Sequence, residues 1–464
     1  MHDMQSSPAI SLELLRRFDV TGPRYTSYPT ADRFVEAFDA HTYQGWLRKR
    51  VLAGQPRPLS LYVHLPFCQT ICYYCACNKI VTKDHGRAAR YIHYVLKEIA
   101  LLGEALDGAR SVVQMHWGGG TPNFLRSGEM ADLAQAVGRT FRLDPKGEYS
   151  IEIDPRWVQP ETIPFLADLG FNRISLGVQD FDPAVQRAVN RIQTEEQTSS
   201  TIEAARAAGF KSINIDLIYG LPKQNVMGFN ATLEKVIRAS PERVALYNYA
   251  HLPGIFKPQR RIAEADLPTP EVKLQLLSLA IRRLNDAGYH YVGMDHFAKP
   301  HDDLSVAQVQ GRLHRNFQGY STHADCDLLG IGVSAIGQVG PTYSQNVKTV
   351  DEYYDRLDKD TLPVLRGIEL TADDLVRRTL IQCLMCRFEI PIESIEIAYL
   401  IVFKKYFASE MEDLAAFRES GLIQMDDQWI TVTPLGRYFI RNICMVFDRY
   451  LREGRERARY SSVV

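Results

Sequence analysis

The sequence has almost no net charge and no long apolar stretch. Its 464 residues include 54 lysines and arginines and 55 aspartates and glutamates, a formal net charge of −1. This balance gives no electrostatic indication of nucleic-acid binding. No run of about 18 apolar residues is present, so we expect no membrane span. Residues 1–20 lack a basic start followed by an apolar run, so we expect no secretory signal.

Cysteine is also scarce, and its distribution is uneven. Eight cysteines in a chain of this length exclude the disulfide-dense scaffolds of small secreted proteins. Half of the eight lie in one short stretch, at Cys68, Cys72, Cys75 and Cys77. The composition therefore predicts a reducing, cytoplasmic location. The 45% of hydrophobic residues is ordinary for a globular protein, and the length predicts two or three domains.

Cys68, Cys72 and Cys75 follow the spacing C-x3-C-x2-C, which places three thiols in one loop. A cubane iron–sulfur cluster normally takes four cysteines, so three leave one iron open for chemistry. Buried core thiols, a zinc knuckle and a disulfide framework are the alternatives. A zinc site needs a second ligand pair. The remaining close pair, Cys383 and Cys386, lies far away in an apolar helical pattern. We interpret it as core, with a second cluster or a zinc site as the alternative.

From Leu59 onward, short β-rich runs alternate with helical patterns, which predicts parallel strands joined by right-handed crossovers. The predicted strands are Leu59–Leu65, Val112–Trp117, Tyr149–Ile153, Arg173–Val178, Ser212–Tyr219, Val244–Ala250 and Tyr289–Met294, and the predicted helices are Ala88–Leu102, Gly128–Phe141, Pro160–Leu169, Thr198–Ala208 and Pro270–Ala287. Six or seven such units predict an α/β fold, a partial TIM-like (β/α)6 barrel with extra strands.

Polar residues stand at the carboxyl ends of these strands, where TIM-like barrels place their chemistry. The second strand leads into Gly118–Thr121, the third into Glu152 and the fourth into Gln179. Asp216 lies inside an otherwise apolar strand, where an unpaired carboxylate is costly. We interpret Glu152 and Asp216 as site residues, with helix-capping carboxylates as the alternative. The three glycines let a backbone approach a ligand without interference from Cβ.

Three further regions flank the barrel. We predict an N-terminal helix and lid segment over residues 1–52, a barrel core over 53–300, a barrel extension over 301–365, and a mostly helical, winged-helix-like domain over 366–464. The segment Gly22–Thr30 is either a surface connector or a segment laid over the active site. Glycine-spaced Leu329–Gly340 predicts an apolar loop that walls the barrel mouth. Because residues 419–428 carry acidic and no basic side chains, we expect the last domain to be a lid or packing domain that does not bind DNA.

The cysteine spacing resembles that of the radical S-adenosylmethionine (SAM) superfamily, and almost the whole chain resembles the oxygen-independent coproporphyrinogen III oxidase family. The matching stretches are Arg24–Thr30, Tyr62–Lys79, Trp117–Pro122, Ser150–Pro155, Gly177–Phe181, Val189–Arg191, Asn214–Gln224, Asn248–Pro253, Gly293–Phe297, His314–Tyr320 and Leu328–Ile336. Two features distinguish this family from related haem chaperones. Related haem chaperones usually have phenylalanine in place of Cys77, and they lack the Arg24–Thr30 stretch.

The resemblance implies a radical SAM barrel and an oxidative decarboxylation. Two propionate side chains of coproporphyrinogen III become vinyl groups, which gives protoporphyrinogen IX without oxygen. Two SAM molecules are consumed, and CO2, methionine and 5′-deoxyadenosine are released. A [4Fe–4S] cluster cleaves SAM to a 5′-deoxyadenosyl radical that abstracts hydrogen. The chemistry requires such a radical, because the propionate Cβ–H bond has no adjacent carbonyl to acidify it for a base.

The resemblance also implies roles for single residues. Cys68, Cys72 and Cys75 ligate the cluster, while Tyr62 and Cys77 belong to the catalytic set, Cys77 without being a ligand. Two SAM molecules bind. The first is expected against Tyr62, Gly119, Gly120, Thr121 and Glu152, and the second against Gln179, Arg191, Asp216, Ala250 and Ile336. Glutamate suits the ammonium of SAM, and arginine suits its carboxylate.

A substrate with four propionates needs cations. The candidates are Arg24, Lys257, Arg260, Arg261 and Arg315, together with the aromatic Tyr25, Tyr28 and Phe317. We also expect a reductase or flavodoxin-like electron donor, no nucleic-acid or membrane partner, and a monomer. A haem chaperone or a haem-modifying radical SAM enzyme on the same barrel is the main alternative, and a zinc-dependent hydrolase is a more distant one.

Overall fold

The computed structural model describes residues 11–18, 20–52, 56–108 and 110–454. The first ten residues of the predicted lid region and the last ten of the predicted C-terminal domain lie outside the described residues. The predicted boundary between the lid region and the barrel, after residue 52, borders the gap at 53–55. The four predicted domain ranges therefore stay predictions.

Strands and helices alternate through the first two thirds of the described chain. The strands are β1 Leu59–Leu65, β2 Phe67–Cys68, β3 Ile80–Val81, β4 Ser111–Gly119, β5 Arg142–Ile153, β6 Arg173–Gln179, β7 Ser212–Tyr219, β8 Arg243–Asn248, β9 His290–Gly293, β10 His296–Ala298, β11 His314–Asn316, β12 Gly319–Ser321, β13 Asp327–Ile331, β14 Ile336–Val339, β15 Thr342–Asn346, β16 Val364–Glu369, β17 Glu389–Pro391, β18 Ile423–Met425 and β19 Trp429–Val432. The α-helices are α1 Leu12–Phe18, α2 Ala40–Leu52, α3 His85–Ala105, α4 Ser127–Thr140, α5 Thr162–Asp168, α6 Pro183–Ala188, α7 Glu195–Ala207, α8 Val226–Ala239, α9 Pro270–Asp286, α10 Asp303–Val309, α11 Val350–Asp358, α12 Ala372–Arg387, α13 Ile392–Tyr399, α14 Phe403–Tyr406, α15 Ala408–Glu419, α16 Ile440–Val446 and α17 Arg449–Glu453.

Within the described residues, twelve strands form one sheet in the order β16-β15-β14-β13-β1-β4-β5-β6-β7-β8-β10-β9. The neighbours from β1 through β4, β5, β6 and β7 to β8 are all parallel. This confirms the six predicted parallel strands of the partial barrel. A further strand, β13, pairs in parallel with the other edge of β1. Helix α8, between β7 and β8, was not predicted.

The two faces of the sheet differ in polarity because successive side chains of a strand point to opposite faces. On β1, Leu61, Val63 and Leu65 are buried in the core that also holds the crossover helices. Tyr62 and His64 alternate with them and hydrogen-bond to each other through Tyr62 OH and His64 Nδ1, 3.1 Å apart. The polar face carries the candidate site.

The seventh predicted strand does not join the parallel set. Strand β9 pairs only with β10, which itself runs antiparallel to β8. A hairpin forces this arrangement, since only Met294 and Asp295 connect β9 with β10, and Asp295 turns the chain with φ of 69°. Two strands joined by so short a turn pair antiparallel.

The prediction of an apolar loop over Leu329–Gly340 was wrong, because this stretch supplies β13 and β14. Its glycines allow the backbones of β13 and β14 to approach each other closely. A Cβ on Gly330 would stand 2.6 Å from the backbone of Ile336, and one on Gly337 would stand 2.9 Å from the carbonyl oxygen of Leu328. Glycine within a strand pattern marks such approaches as well as loops.

A second hydrophobic core joins the two ends of the chain. Phe18, Tyr25 and Tyr28 pack with Met294 and with apolar residues of the C-terminal region, including Leu384 of α12. Helix α12 starts at a capping box in which Thr371 accepts from Asp374 N–H and the Asp374 carboxylate accepts from Thr371 N–H. The small sheet β17-β19-β18 lies in the same region.

Candidate active site

The cluster loop, which we define as Pro66–Lys79, leaves β1 at the carboxyl end of the strand. It is closed at its base by the parallel pair β2 and β3, in which Phe67 stands opposite Ile80. Tyr73 N–H donates to Val189 O over 2.9 Å, and Lys79 Nζ donates to Cys75 O over 3.1 Å. The loop is therefore held both to itself and to the chain that follows β6.

The three predicted ligands have different surroundings. Thr121 Oγ1 donates to Cys68 Sγ over 3.5 Å, and burial raises the pKa of Cys68 to about 11. Cys72 is buried, and its sulfur accepts from Arg191 Nη1 over 3.7 Å and from Arg156 Nη2 over 3.9 Å.

Cys77 belongs to the same group of thiols although it is an exposed residue. A hydrogen bond from its side chain is the main reason that the pKa of Cys75 is lowered to about 6. The same hydrogen bond raises the pKa of Cys77. The structure thus pairs Cys77 with one predicted ligand, while its catalytic role stays a prediction.

Among the described residues, no three His, Cys, Asp or Glu side chains are grouped as ligands of a single metal ion. Thiolates of a cubane cluster bind different irons, so they stand further apart than the ligands of one ion. Cys383 and Cys386 are buried within α12, which agrees with their interpretation as core residues.

Glu152 ends the polar face of β5 and faces the loop after β4. Its carboxylate accepts from Gly119 N–H over 3.0 Å and contacts His116 Nε2 at 3.3 Å. Desolvation opposes ionisation, but the hydrogen bonds from His116 and Gly119 and the charges of His116 and His64 together outweigh it and hold the pKa of Glu152 below its usual range. The side chain keeps 41% of its surface exposed. It is therefore an ionised carboxylate open to a cationic ligand group.

The glycines at the end of β4 and directly after it pack closely against neighbouring parts of the chain. A Cβ on Gly118 would stand 2.8 Å from the Glu152 carboxylate carbon, and one on Gly120 would stand 2.6 Å from the Pro66 carbonyl carbon. Gly120 N–H donates to Leu65 O, and Thr121 N–H donates to Phe67 O, each over 2.8 Å. These glycines dock the loop after β4 onto the cluster loop. Contacts of Gly119, Gly120 and Thr121 with SAM stay predictions.

Asp216 lies on the polar face of β7, beside the strand that carries Gln179. It accepts from Asn214 Nδ2 over 2.7 Å and from Ser175 Oγ over 3.2 Å. Burial, followed by the negative charge of Glu152, raises the pKa of Asp216 to about 7. The structure therefore brings the two predicted carboxylates into one electrostatic unit with pKa values shifted in opposite directions.

Arg191 and Gln179 stand next to this unit. Arg191 Nη1 donates to Asp154 Oδ2 over 3.1 Å, so its charge already has a carboxylate partner. Gln179 has φ of 70°, and its Oε1 is buried without a hydrogen-bond partner. A buried acceptor without a partner is costly, and a bound hydroxyl or ammonium would satisfy it.

The last two predicted SAM contacts lie in different parts of the sheet, beyond β1 on one side and beyond β7 on the other. Ala250 follows β8, and its carbonyl accepts from Gln259 Nε2 over 3.2 Å. Ile336 begins β14, on the far side of β1 from β7. Whether both line one SAM molecule stays a prediction.

The predicted substrate residues separate into three groups. Lys257, Arg260 and Arg261 are exposed on a short 3-10 helix, Lys257–Arg261. Tyr25 and Tyr28 are each 1% exposed and belong to the second core, so they offer no surface to a ligand and the prediction for them was wrong. Tyr25 OH donates to Asp448 over 3.0 Å.

Arg24 and Arg315 stand nearer the polar face. Arg24 pairs with Asp295 over 3.0 Å, and its guanidinium lies 5.7 Å from the ring centroid of Tyr247. Arg315 is 4% exposed and lies 4.7 Å from the ring centroid of Tyr320. Phe317 is partly buried against Tyr343.

His116 is a site residue that was not predicted. Its Nδ1 is 2.6 Å from Ser150 Oγ, its Nε2 contacts Glu152, and its ring stacks on Tyr62 with centroids 6.0 Å apart. The signal was present in the sequence, because His116 occupies an alternate position of a predicted strand, two residues before Gly118. A polar residue at such a position faces the barrel interior with the other site residues.

No helix of the described chain is both long enough and apolar enough to cross a membrane.

Comparison with known proteins places these features in one family. Residues 62–236 match the model of the radical SAM superfamily, and residues 370–439 match that of the HemN C-terminal domain. The chain is 50% identical over 454 residues to an oxygen-independent coproporphyrinogen III oxidase of Pseudomonas aeruginosa, covering 97% of this chain and 98% of the relative. It is 46% identical to the Escherichia coli enzyme of that name, with 98% of each covered.

A solved structure of coproporphyrinogen III oxidase from Escherichia coli, described as a radical SAM enzyme, superposes with a TM-score of 0.91 at 45% identity, covering 96% of this chain and all of the other. The overall fold predicted from the sequence is thereby confirmed. The chain belongs to the oxygen-independent coproporphyrinogen III oxidase family of radical SAM enzymes.

Proposed function

We propose that this protein decarboxylates two propionate side chains of coproporphyrinogen III to vinyl groups and thereby forms protoporphyrinogen IX without oxygen. The family uses a [4Fe–4S] cluster and SAM, which together supply the 5′-deoxyadenosyl radical that abstracts hydrogen. The observation that carries the proposal is the docking of the three-cysteine loop onto the ends of β4 and β5, where Glu152 stands ionised.

The residues present fit both cofactors. Thr121 hydrogen-bonds to Cys68, and two arginines hydrogen-bond to Cys72, contacts that suit sulfurs made anionic by iron. We propose Cys68, Cys72 and Cys75 as the cluster ligands. We propose Tyr62, Gly119, Gly120, Thr121 and Glu152 for the first SAM and Gln179, Arg191, Asp216, Ala250 and Ile336 for the second.

The chain's own residues position and shield this chemistry. Glu152 would receive the ammonium of SAM, while His116 and Gly119 hold the Glu152 carboxylate in place. Asp216 and Gln179 offer hydrogen-bond acceptors to the ribose or ammonium of the second molecule. We also propose a reductase or flavodoxin-like electron donor, a cytoplasmic location and a monomer.

An anaerobic assay tests the function. The protein is reconstituted with iron and sulfide, reduced, and mixed with SAM and coproporphyrinogen III before the tetrapyrroles are separated. Protoporphyrin after oxidation, with methionine and 5′-deoxyadenosine formed in step, is the expected result. SAM cleavage without a vinyl product, or stoichiometric haem binding without any cleavage, would refute the proposal and favour the haem-directed alternatives.

A further inference from the structure

A cavity of about 40 Å³ lies beside the barrel, apart from the predicted SAM residues. Its walls come from the ends of β7 and β8, from α9, from the β9–β10 hairpin and from the C-terminal region just before and within α16. Tyr219 and Leu246 face it from β7 and β8, and both belong to the core shared with the crossover helices. The cavity is therefore on the outer side of the barrel wall, while Asp216 and Tyr247 alternate onto the other side.

The charged side chains of the cavity are mostly cationic. Arg24, Arg437 and Arg441 line it together with one carboxylate, Asp295. Asp295 is paired with Arg24 over 3.0 Å. Arg441 donates to the carbonyl oxygens of Gly22 and Pro23. Burial, followed by the charge of Arg24, lowers the pKa of Arg441 to about 10.

Two polar atoms at the cavity lack partners. Arg437 Nε is buried without a hydrogen bond, and the Arg437 guanidinium lies 4.7 Å from the ring centroid of Phe388. Asn248 Oδ1 is likewise buried and unsatisfied, and its amide can offer an NH2 donor after rotation. A buried guanidinium N–H and a buried amide oxygen without partners are both costly. An anion with two acceptor oxygens would satisfy the donors of both.

We propose that this cavity binds a carboxylate through Arg437, Asn248 and Arg24, and that the carboxylate is a propionate of the porphyrinogen that does not react. The second part depends on the proposed function. Two of the four propionates are decarboxylated, and the other two must be held where hydrogen is not abstracted. The barrel wall separates the cavity from Asp216. Arg24 connects the two sides, because it lines the cavity and also lies over the Tyr247 ring.

Equilibrium binding of porphyrins tests the proposal without turnover. The reconstituted protein, without SAM, is titrated with coproporphyrin III, with mesoporphyrin IX and with mesoporphyrin dimethyl ester, and porphyrin fluorescence is followed. Mesoporphyrin keeps only the two propionates that do not react. The variants are Arg437→Gln and Arg437→Lys. The matched control is Arg418→Gln, which changes an exposed arginine of α15.

We expect Arg437→Gln to weaken coproporphyrin III and mesoporphyrin by similar factors, roughly 10-fold to 100-fold for a lost charged hydrogen bond. Arg437→Lys recovers part of the lost affinity. The control variant Arg418→Gln binds all three porphyrins as wild type does, and the affinity for the dimethyl ester is the same in Arg437→Gln as in wild type. The thermal midpoint of Arg437→Gln is not lowered, since the substitution removes a buried Nε–H donor that lacks a partner. A lowered midpoint with unchanged affinity would instead indicate a structural role and overturn the proposal.

Two further outcomes would overturn the proposal. If Arg437→Gln weakens coproporphyrin III but leaves mesoporphyrin unchanged, the cavity holds a reacting propionate. If sodium propionate raises the wild-type midpoint through Arg437 while porphyrin affinities stay equal, the cavity is a site for small free carboxylates. Failure of the proposed function is separate from these results, because it would appear as absent vinyl product in wild type regardless of porphyrin affinity.

Discussion

At the scale of single residues, the barrel interior is governed by two carboxylates whose environments differ. Glu152 is held ionised by His116 and by the Gly119 N–H, whereas Asp216 has a pKa raised to about 7 by burial and by the charge of Glu152. Neighbouring acids with separated pKa values are typical of functional sites. Near neutral pH, Glu152 carries a full negative charge and Asp216 carries a partial one, so the interior favours cationic ligands.

Asp216→Asn should stabilise the apoprotein in a pH-dependent way. The folded pKa of Asp216, about 7, lies above the value of roughly 4 in an unfolded chain. Wild type therefore loses stability as pH rises from about 4 to 7, and the loss is complete above the folded pKa. The advantage of the variant should grow across this window to on the order of 2–4 kcal/mol. Urea unfolding of both proteins at pH 5 and pH 8 measures it, and a difference that does not change with pH would contradict the assignment.

Cys77→Ser should keep the cluster and lose product formation. The residue is exposed and hydrogen-bonds to Cys75, a contact that a hydroxyl can also make, so the three ligands remain. If Cys77 acts in proton transfer, vinyl product should fall by roughly 100-fold or more. Iron content and visible absorption report the cluster. Cys68→Ala is the matched variant in which the cluster should be absent, and equal iron loss in both would make Cys77 a ligand.

At the scale of elements, close backbone contacts fix the site. The loop after β4 lies so near the cluster loop that Gly120 has backbone atoms of Leu65, Pro66 and Phe67 within 2.8 Å of the place a Cβ would occupy. Backbone atoms cannot turn aside as a flexible side chain can. The position of the cysteines relative to Glu152 therefore depends on the absence of a side chain at one residue.

Gly120→Ala should displace the cluster loop and reduce cluster assembly. We expect a loss of about 2 kcal/mol or more in unfolding free energy, as for other overpacked sites, and a lower iron content after reconstitution. Gly128→Ala is the control. It lies in α4 with no atom within 4 Å of the added Cβ, so it should be neutral or slightly stabilising. Equal behaviour of the two variants would show that the close approach is not limiting.

A buried carboxylate, Glu98 of α3, ties three further elements together. It accepts from Gly332 N–H over 2.7 Å, from Asn346 Nδ2 over 2.7 Å and from Tyr353 OH over 2.6 Å. These contacts hold the β13–β14 turn, which leads into Ile336, against the helices outside the barrel.

Glu98→Gln should destabilise the protein by roughly 2–4 kcal/mol, because the new NH2 faces donors and leaves buried groups unsatisfied. Denaturant unfolding measures the loss. The control, Glu104→Gln, changes an exposed residue of the same helix and should stay within about 0.5 kcal/mol of wild type. A cost as small as that of the control would show that the three hydrogen bonds contribute little.

At the scale of the whole molecule, the second core unites the beginning and end of the chain with the barrel edge. Val292 and Met294 of the barrel region pack in it with Tyr25 and with Leu384. The polar contacts agree, since Arg441 of α16 donates to Pro23 O over 3.0 Å. The C-terminal region thus completes the structure around Arg24.

A fragment ending at residue 365 should not fold as a compact monomer. It would expose the second core, including Tyr25, Tyr28 and Val292, to water. We expect aggregation on size-exclusion chromatography and no cooperative urea transition. A monodisperse fragment with a sharp transition would show that the barrel is stable without the C-terminal region.

The predictability of the site followed from local pattern. Cysteine spacing, polar residues at strand ends and apolar alternation identify the cluster loop, Glu152 and Asp216, because each is a property of consecutive residues. The same alternation would have found His116. Gly330 and Gly337 led to a wrong prediction of a loop, because glycines that allow a neighbouring strand to approach closely cannot be told in sequence from glycines of a loop.

What the sequence by itself determined is the partial barrel, the end of it that carries chemistry and the three-cysteine loop. Hydrophobic period and ligand spacing depend only on neighbours along the chain. Only the tertiary structure decided which residues far apart in sequence lie close together in space. Tyr25 and Tyr28 are buried against the C-terminal region, Asp216 lies near Glu152, and Arg24 and Arg437 line one cavity. Burial and charge are set by the whole packed molecule, so no local pattern contains them.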